Sequence, residues 1–188
     1  LRKLYTLPIV GMEPAVKPAA LNTKTGVIGV LATRGTFKGT LYQNTRNIYA
    51  YNKKVIEQAG DGLVELVEEG KTDTEEALAL LSRYITPMLA QNADQLVLGC
   101  THYPFLIEPI RKIVGKRMKI VNPAPAVAQR AANILKNMNL LPDKDSTGTT
   151  TFCSTGENLE LVRNMAESII KSNTTTENHK TYYQNLQI

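Results

Sequence analysis

Apolar positions in this chain come in two rhythms: short continuous runs, and longer stretches that repeat every three to four residues. Residues 25–33 form one continuous run, with Val27, Ile28, Val30 and Leu31 in it, and residues 95–100 form another. Such runs predict strands buried on both faces, as in a parallel sheet. Residues 7–12 predict a shorter strand closed by the turn signal Glu13-Pro14, and residues 119–121 and 149–154 predict two more. Helical spacing fills the intervals: a short helix over 16–21, then helices over about 39–57, over 72–90, from Pro104 onward, over 126–138 and over 159–170. In the 72–90 stretch Ala77, Leu78, Leu81, Ile85, Met88 and Leu89 share a face, and Thr72 with Glu75 reads as a capping box. Residues 63–70, ended by Gly70, read as a short helix; their alternation fits a strand as well.

Strands alternating with helices predict βαβ units, and so an α/β fold around a parallel sheet. In such sheets the ligand site lies beyond the carboxyl ends of the strands. Two predicted strand ends carry polar or reactive residues, Thr33-Arg34-Gly35-Thr36 and Cys100-Thr101-His102. Residues 172–188, rich in Thr, Asn, Gln and Lys, predict a polar tail that is disordered or loosely attached.

Composition narrows the class. Of the 188 residues 43% are hydrophobic and 21% charged, which is ordinary for a globular protein. The net charge of +5 comes from scattered Lys and Arg, and the basic run over 112–119 is broken by apolar residues. That pattern predicts a solvated surface with neither a nucleic-acid nor a membrane partner. No apolar run approaches the ~20 residues that cross a bilayer, and the first residues lack a signal-peptide core. Two distant cysteines, Cys100 and Cys153, make no disulfide framework; free thiols in a reducing cytoplasm are expected.

The candidate chemistry centres on Cys100. It follows a predicted buried strand and precedes a helix, whose positive end favours a thiolate. His102, two residues on, is placed to hydrogen-bond the sulfur or exchange a proton with it. The bland alternative is a buried structural cysteine, but the adjacent Thr101 and His102 would be wasteful in a core turn. A zinc site would need Cys153 and His179 as further ligands. A thiol hydrolase would need a third, orienting residue, for which Glu68 is the one candidate. Thr33 and Thr36, with the Gly35 N–H, either hold a carboxylate at a helix start or simply cap that helix.

Residues 96–104, Leu-Val-Leu-Gly-Cys-Thr-His-Tyr-Pro, resemble the second cysteine signature of the aspartate/glutamate racemase family, in its glutamate-racemising branch. Residues 28–36 resemble the first strand and turn of that family's second domain, and residues 63–70 its Leu-Val-Glu-x-Gly segment. Residues 10–14 resemble the strand after the helix that follows its first cysteine, and the likeness runs over about residues 1–165.

The resemblance implies two pseudo-symmetric doubly wound halves with the active site between them. Residues 1–20 would be a remnant of the first half, 21–121 the second half, 122–171 the elements completing the first half, and 172–188 the polar tail. It implies racemisation of glutamate with no cofactor and no metal, by one thiolate and one thiol on opposite faces of the α-carbon, supplying D-glutamate for peptidoglycan. Cys100 would be one of the two thiols, with His102 its proton partner and Glu68 the acidic neighbour of that histidine. Thr101, Thr33 and Thr36 would bind the α-carboxylate. The only partner implied is the small-molecule substrate, with a homodimer possible in such a family. A racemase for aspartate or another amino acid, and an inactive carboxylate-binding fragment, are the alternatives.

Some family features are not found. The Asp-Ser strand end, the Tyr-Gly turn and the Cys-Asn-Thr turn with the first cysteine are missing, so Leu1 is expected to fall inside the helix after that turn, and residues 1–188 alone are expected not to racemise glutamate efficiently. Cys153 matches no catalytic motif and reads as a buried structural cysteine. Residues 58–62 stand where a Cys-Pro often precedes the Leu-Val-Glu segment, with no catalytic consequence assigned.

Overall fold

The computed structural model describes residues 4–142, 148–156, 158–173 and 180–186. The elements in chain order are α1 (Val16–Asn22), β1 (Val27–Ala32), α2 (Arg34–Lys38), α3 (Thr40–Tyr49), β2 (Lys54–Ala59), α4 (Leu63–Glu68), α5 (Glu75–Ala90) and β3 (Gln95–Gly99). A 3₁₀ turn (Tyr103–Leu106) then leads into α6 (Ile107–Val114), followed by β4 (Lys119–Val121), α7 (Ala124–Asn137), β5 (Thr149–Ser154), α8 (Leu159–Asn173) and β6 (Lys180–Asn185). Among the described residues no helix is long and apolar enough to cross a membrane.

The main sheet is parallel, in the order β2-β1-β3-β4. Its central strands are apolar, save Gln95 at the start of β3, because each face meets helices. Leu31, Leu96 and Leu98 point into one core, with Leu81, Ile85 and Met88 of α5 and Ile110 of α6. Ile28, Val30, Ala32 and Val97 point into the other, with Val16 and Ala19 of α1 and Tyr42 of α3. Successive strand residues alternate between the two cores, as pleating requires. β1 lies centrally, with β2 on one side and β3 on the other, so the chain reverses its winding there. A crevice opens at such a switch point.

The register brings the strand ends level. Ala32 of β1 pairs with Ala59 of β2 and with Gly99 of β3. The next residues, Thr33, Gly60 and Cys100, therefore emerge side by side.

Several expectations are corrected. The helix over 39–57 ends at Tyr49, and Lys54–Ala59 is the edge strand β2. With a neighbour on one side only, that strand is half-buried and keeps helix formers such as Glu57 and Gln58. Residues 7–12 are not among the strands of the described residues. The cap of α5 is Thr74, not Thr72: its hydroxyl accepts from Ala77 N at 3.2 Å, which sets Ala77, Leu81, Ile85 and Met88 inward. Residues 63–70 resolve as helix α4 over Leu63–Glu68.

The tail also differs. Helix α8 runs to Asn173, and Lys180–Asn185 pairs parallel with β5. Tyr183 stacks on Phe152, centroids 5.6 Å apart, and the Arg163 guanidinium lies 5.1 Å from the same ring. These aromatic contacts stabilise a polar strand. The remainder of the tail, 174–179 and 187–188, lies outside the described residues.

Candidate active site

Cys100 sits one residue past β3 and is half-buried. Its Sγ lies 3.8 Å from His102 Nδ1, and the opposite ring nitrogen, Nε2, lies 3.2 Å from Glu68 Oε1. Glu68 comes from the end of α4, so the line Glu68–His102–Cys100 joins two βα units. A carboxylate on Nε2 favours the tautomer with its proton there, leaving Nδ1 as the acceptor that faces sulfur. The His102 and Glu68 side chains are 30% and 54% exposed, so the pair is solvent-screened and adds little stability by itself.

The turn after β1 lies opposite. Thr33 Oγ1 accepts from Thr36 N at 3.3 Å and caps α2, while Thr36 Oγ1 donates to Gly99 O at 3.1 Å. That second bond ties the β1 turn to the residue before Cys100. The two hydroxyls lie 3.0 Å apart, and since Thr36 gives its proton to Gly99, Thr33 is the donor between them. Thr101 Oγ1 is 3.4 Å from His102 Nδ1.

These residues face a cleft of about 400 Å³ at the switch point, lined by Cys100, Thr101, Thr33 and Thr36 together with Pro14 and Tyr42. His102 and Glu68 stand behind Cys100 and are not part of that lining. Sequence reasoning missed Tyr42. Its ring packs edge-on against Phe37, centroids 5.3 Å apart, and its hydroxyl donates to Glu57 Oε1 at 2.7 Å. Burial, reinforced by Glu57, pushes its pKa far above the ordinary phenol value, so it is a donor at neutral pH. Tyr42 reaches the cleft from α3, and nothing local in the sequence signals that.

The loop after β2, where the sequence lacks the family's Cys-Pro, touches both site turns. Arg34 Nε and Nη2 donate to Asp61 Oδ1 and Oδ2 at 3.0 and 2.5 Å. Tyr103, directly after His102, donates to Gly60 O at 3.2 Å.

Cys153 is exposed, not buried. On the two-stranded β5–β6 sheet it faces away from Phe152, which takes the partly buried side. It is not among the residues lining the cleft. No group of three or more His, Cys, Asp or Glu side chains able to hold a metal ion occurs among the described residues, and His179 lies outside them.

A thiol at the switch point of a doubly wound α/β sheet, backed by an imidazole–carboxylate pair and faced by threonine hydroxyls, has the chemistry that proton transfer or nucleophilic attack on a small polar ligand requires. Residues 1–131 match the family model described as Asp/Glu/Hydantoin racemase, and the chain belongs to that family. It is 46% identical over 157 residues to a glutamate racemase of Roseiflexus sp., covering 83% of this chain and 58% of that one. A glutamate racemase of Deinococcus radiodurans is 43% identical over 159 residues, covering 84% of this chain and 55% of that one. The chain thus spans between half and two thirds of the length of these relatives. Among solved structures, Escherichia coli glutamate racemase, in complex with L-glutamate and the activator UDP-MurNAc-Ala, superposes with TM-score 0.76 at 27% identity, over 100% of this chain and 68% of that one. A glutamate racemase isoform of Bacillus anthracis superposes with TM-score 0.77 at 25% identity, over 100% of this chain and 67% of that one.

Proposed function

We propose that this chain forms one side of a cofactor-independent glutamate racemase site, in which Cys100 moves the substrate α-proton on one face. The observation that carries the reading is the half-buried Cys100 sulfur, exposed to the cleft in front and backed at 3.8 Å by His102, whose far nitrogen is held by Glu68. The glutamate racemase relatives support the choice of substrate.

The chemistry follows from the difficulty of the step. An amino-acid α-proton is very weakly acidic, and inversion needs a base on one face and an acid on the other. A thiolate at Cys100 takes the proton; an acid on the opposite face returns one to the planar carbanion. His102 accepts and returns the thiol proton through Nδ1, and Glu68 holds the ring in that orientation. Thr101 and Thr33 offer hydroxyl donors to the α-carboxylate, Thr33 by releasing Thr36. Thr36, committed to Gly99, holds the two turns at the spacing the substrate needs. The second thiol that the resemblance implies is not among the residues lining the cleft, and the reading places it across the substrate from Cys100.

Residues 21–121 would then be the half carrying Cys100, with 1–20 and 122–171 belonging to the other half. The product D-glutamate would serve peptidoglycan synthesis in the cytoplasm, a setting consistent with two free thiols. The test is incubation of the protein with the L- and D-forms of glutamate and aspartate, followed by chiral separation. α-Proton exchange in D₂O or interconversion of glutamate alone supports the reading; the same with aspartate in its place assigns a different substrate; and binding with neither leaves a carboxylate-binding chain.

A further inference from the structure

We propose that Tyr103 is a positioning residue: its buried phenol, bonded to the Gly60 carbonyl, fixes the spacing between the turn that carries His102 and the helix that carries Glu68. The proposal rests on the reading of Cys100 and His102 as the proton-transfer pair.

The two residues to be aligned stand on separate elements. His102 lies just before the 3₁₀ turn that leaves β3, and Glu68 ends α4, which leaves β2. Their own contact is solvent-screened and too weak to set the spacing. Beneath it, Tyr103 is wholly buried, and its backbone N–H is bonded to Cys100 O at 3.3 Å. Its hydroxyl crosses to Gly60 O at 3.2 Å. The same carbonyl accepts Leu63 N, at the first residue of α4, also at 3.2 Å. One oxygen thus joins the start of the Glu68 helix to the residue beside His102.

Two features argue that the link is specific. Gly60 O already has the Leu63 donor, so the phenol is not needed to satisfy a bare carbonyl; what it adds is a fixed separation. Position 60 also admits no side chain, because a β-carbon there would overlap the Tyr103 oxygen and come within 2.8 Å of Leu63 Cδ1. Gly62, at φ 84°, then turns the backbone into α4 in a conformation that favours glycine. Burial keeps the phenol protonated and therefore a donor across the physiological range.

The test uses the protein with selectively ¹⁵N-labelled histidine and compares Tyr103→Phe, Gly60→Ala and Glu68→Gln. Tyr84→Phe is the control: Tyr84 donates to Asp61 O in the same loop, at 2.8 Å, but has no bond to the His102 turn. Two quantities are read at a temperature where each variant keeps its native circular dichroism: the ring-nitrogen shifts of His102, and the rate at which glutamate acquires α-deuterium in D₂O. The expected result is that Tyr103→Phe moves the His102 ring shifts in the same direction as Glu68→Gln. It also lowers turnover by about tenfold with KM within about twofold. Tyr84→Phe changes neither. Gly60→Ala, which disturbs the junction from the other side, gives the Tyr103→Phe signature and decides the matter should that variant not fold. Native His102 shifts in folded Tyr103→Phe protein overturn the proposal. Absence of deuterium uptake by the unaltered protein sinks the reading of Cys100 instead, while the nitrogen shifts still decide the positioning.

Discussion

Glu68 Oε1 lies 3.2 Å from His102 Nε2 although 34 residues separate them in the chain. The contact spans two βα units and exists because β1 holds the ends of β2 and β3 level. It gives His102 a defined tautomer and turns its other nitrogen to the Cys100 sulfur. Substituting Glu68→Gln keeps the shape of that contact and removes its charge. Glutamate turnover is expected to fall by about tenfold with little change in KM, because the residue touches no substrate. Steady-state kinetics on the variant check this; a pure KM effect would place Glu68 in the substrate pocket.

The two cysteines are expected to behave differently. Cys100→Ser should lower turnover by about 10²–10⁴-fold, the range for losing an acid/base group. Cys153→Ser should stay within about twofold, since an exposed position away from the cleft tolerates substitution. Iodoacetamide labelling resolved by mass spectrometry supplies a parallel readout, with glutamate slowing alkylation of Cys100 and leaving Cys153 unaffected. Equal activity losses from the two substitutions would overturn the assignment of roles.

Thr33→Ala removes a hydroxyl proposed to meet the α-carboxylate. A hydrogen bond to a charged group is worth about 1.5–3 kcal/mol, so KM is expected to rise by about tenfold or more. Thr36→Val leaves Gly99 O without its donor and should lower stability by about 1–3 kcal/mol as well as turnover. Paired kinetic and urea-denaturation measurements separate the two effects.

At the opposite end of the sheet Asp94 sets a pH dependence. Burial works against its ionisation, but hydrogen bonds from Thr23 Oγ1, Lys24 N and Thr25 N outweigh that and hold its pKa below the ordinary aspartate value. A group whose pKa is lowered on folding contributes stability above its unfolded value and loses it as pH falls through the folded value. Asp94→Ala should therefore cost about 1–2 kcal/mol near neutrality, after allowance for solvent screening. The difference from the unaltered protein should shrink as pH falls below the ordinary aspartate value of about 3.9. Urea melts across that range check it, and a gap independent of pH would mean that the carboxylate charge is irrelevant.

The parts of the fold legible in the sequence are those where one local rule dominates. Residues 27–32 and 96–99 are continuously apolar because both faces of the sheet are covered, and no competing pattern blurs them. β2 was hidden because an edge strand keeps polar residues: Glu57 is satisfied by Tyr42 and Arg46, and in sequence it extends the preceding helix. Cys100, His102 and the threonines of the two turns could be picked out because they stand at strand ends. The partnership of Tyr103 with Gly60 and the pairing of Arg34 with Asp61 depend on strand register, and the approach of Tyr42 to the cleft on the packing of α3; the chain sets both only through tertiary structure. β6 escaped notice for a similar reason, since its support comes from Phe152 and Arg163 across the small sheet.

The central claim is that the Cys100 sulfur exchanges the α-proton of glutamate. Incubating glutamate with the protein in D₂O and weighing the recovered amino acid tests it without reference to the acid on the opposite face. Uptake of one deuterium at the α-carbon by the unaltered protein, and none above background with Cys100→Ser, is the result this account predicts. Undiminished uptake by folded Cys100→Ser protein would contradict it.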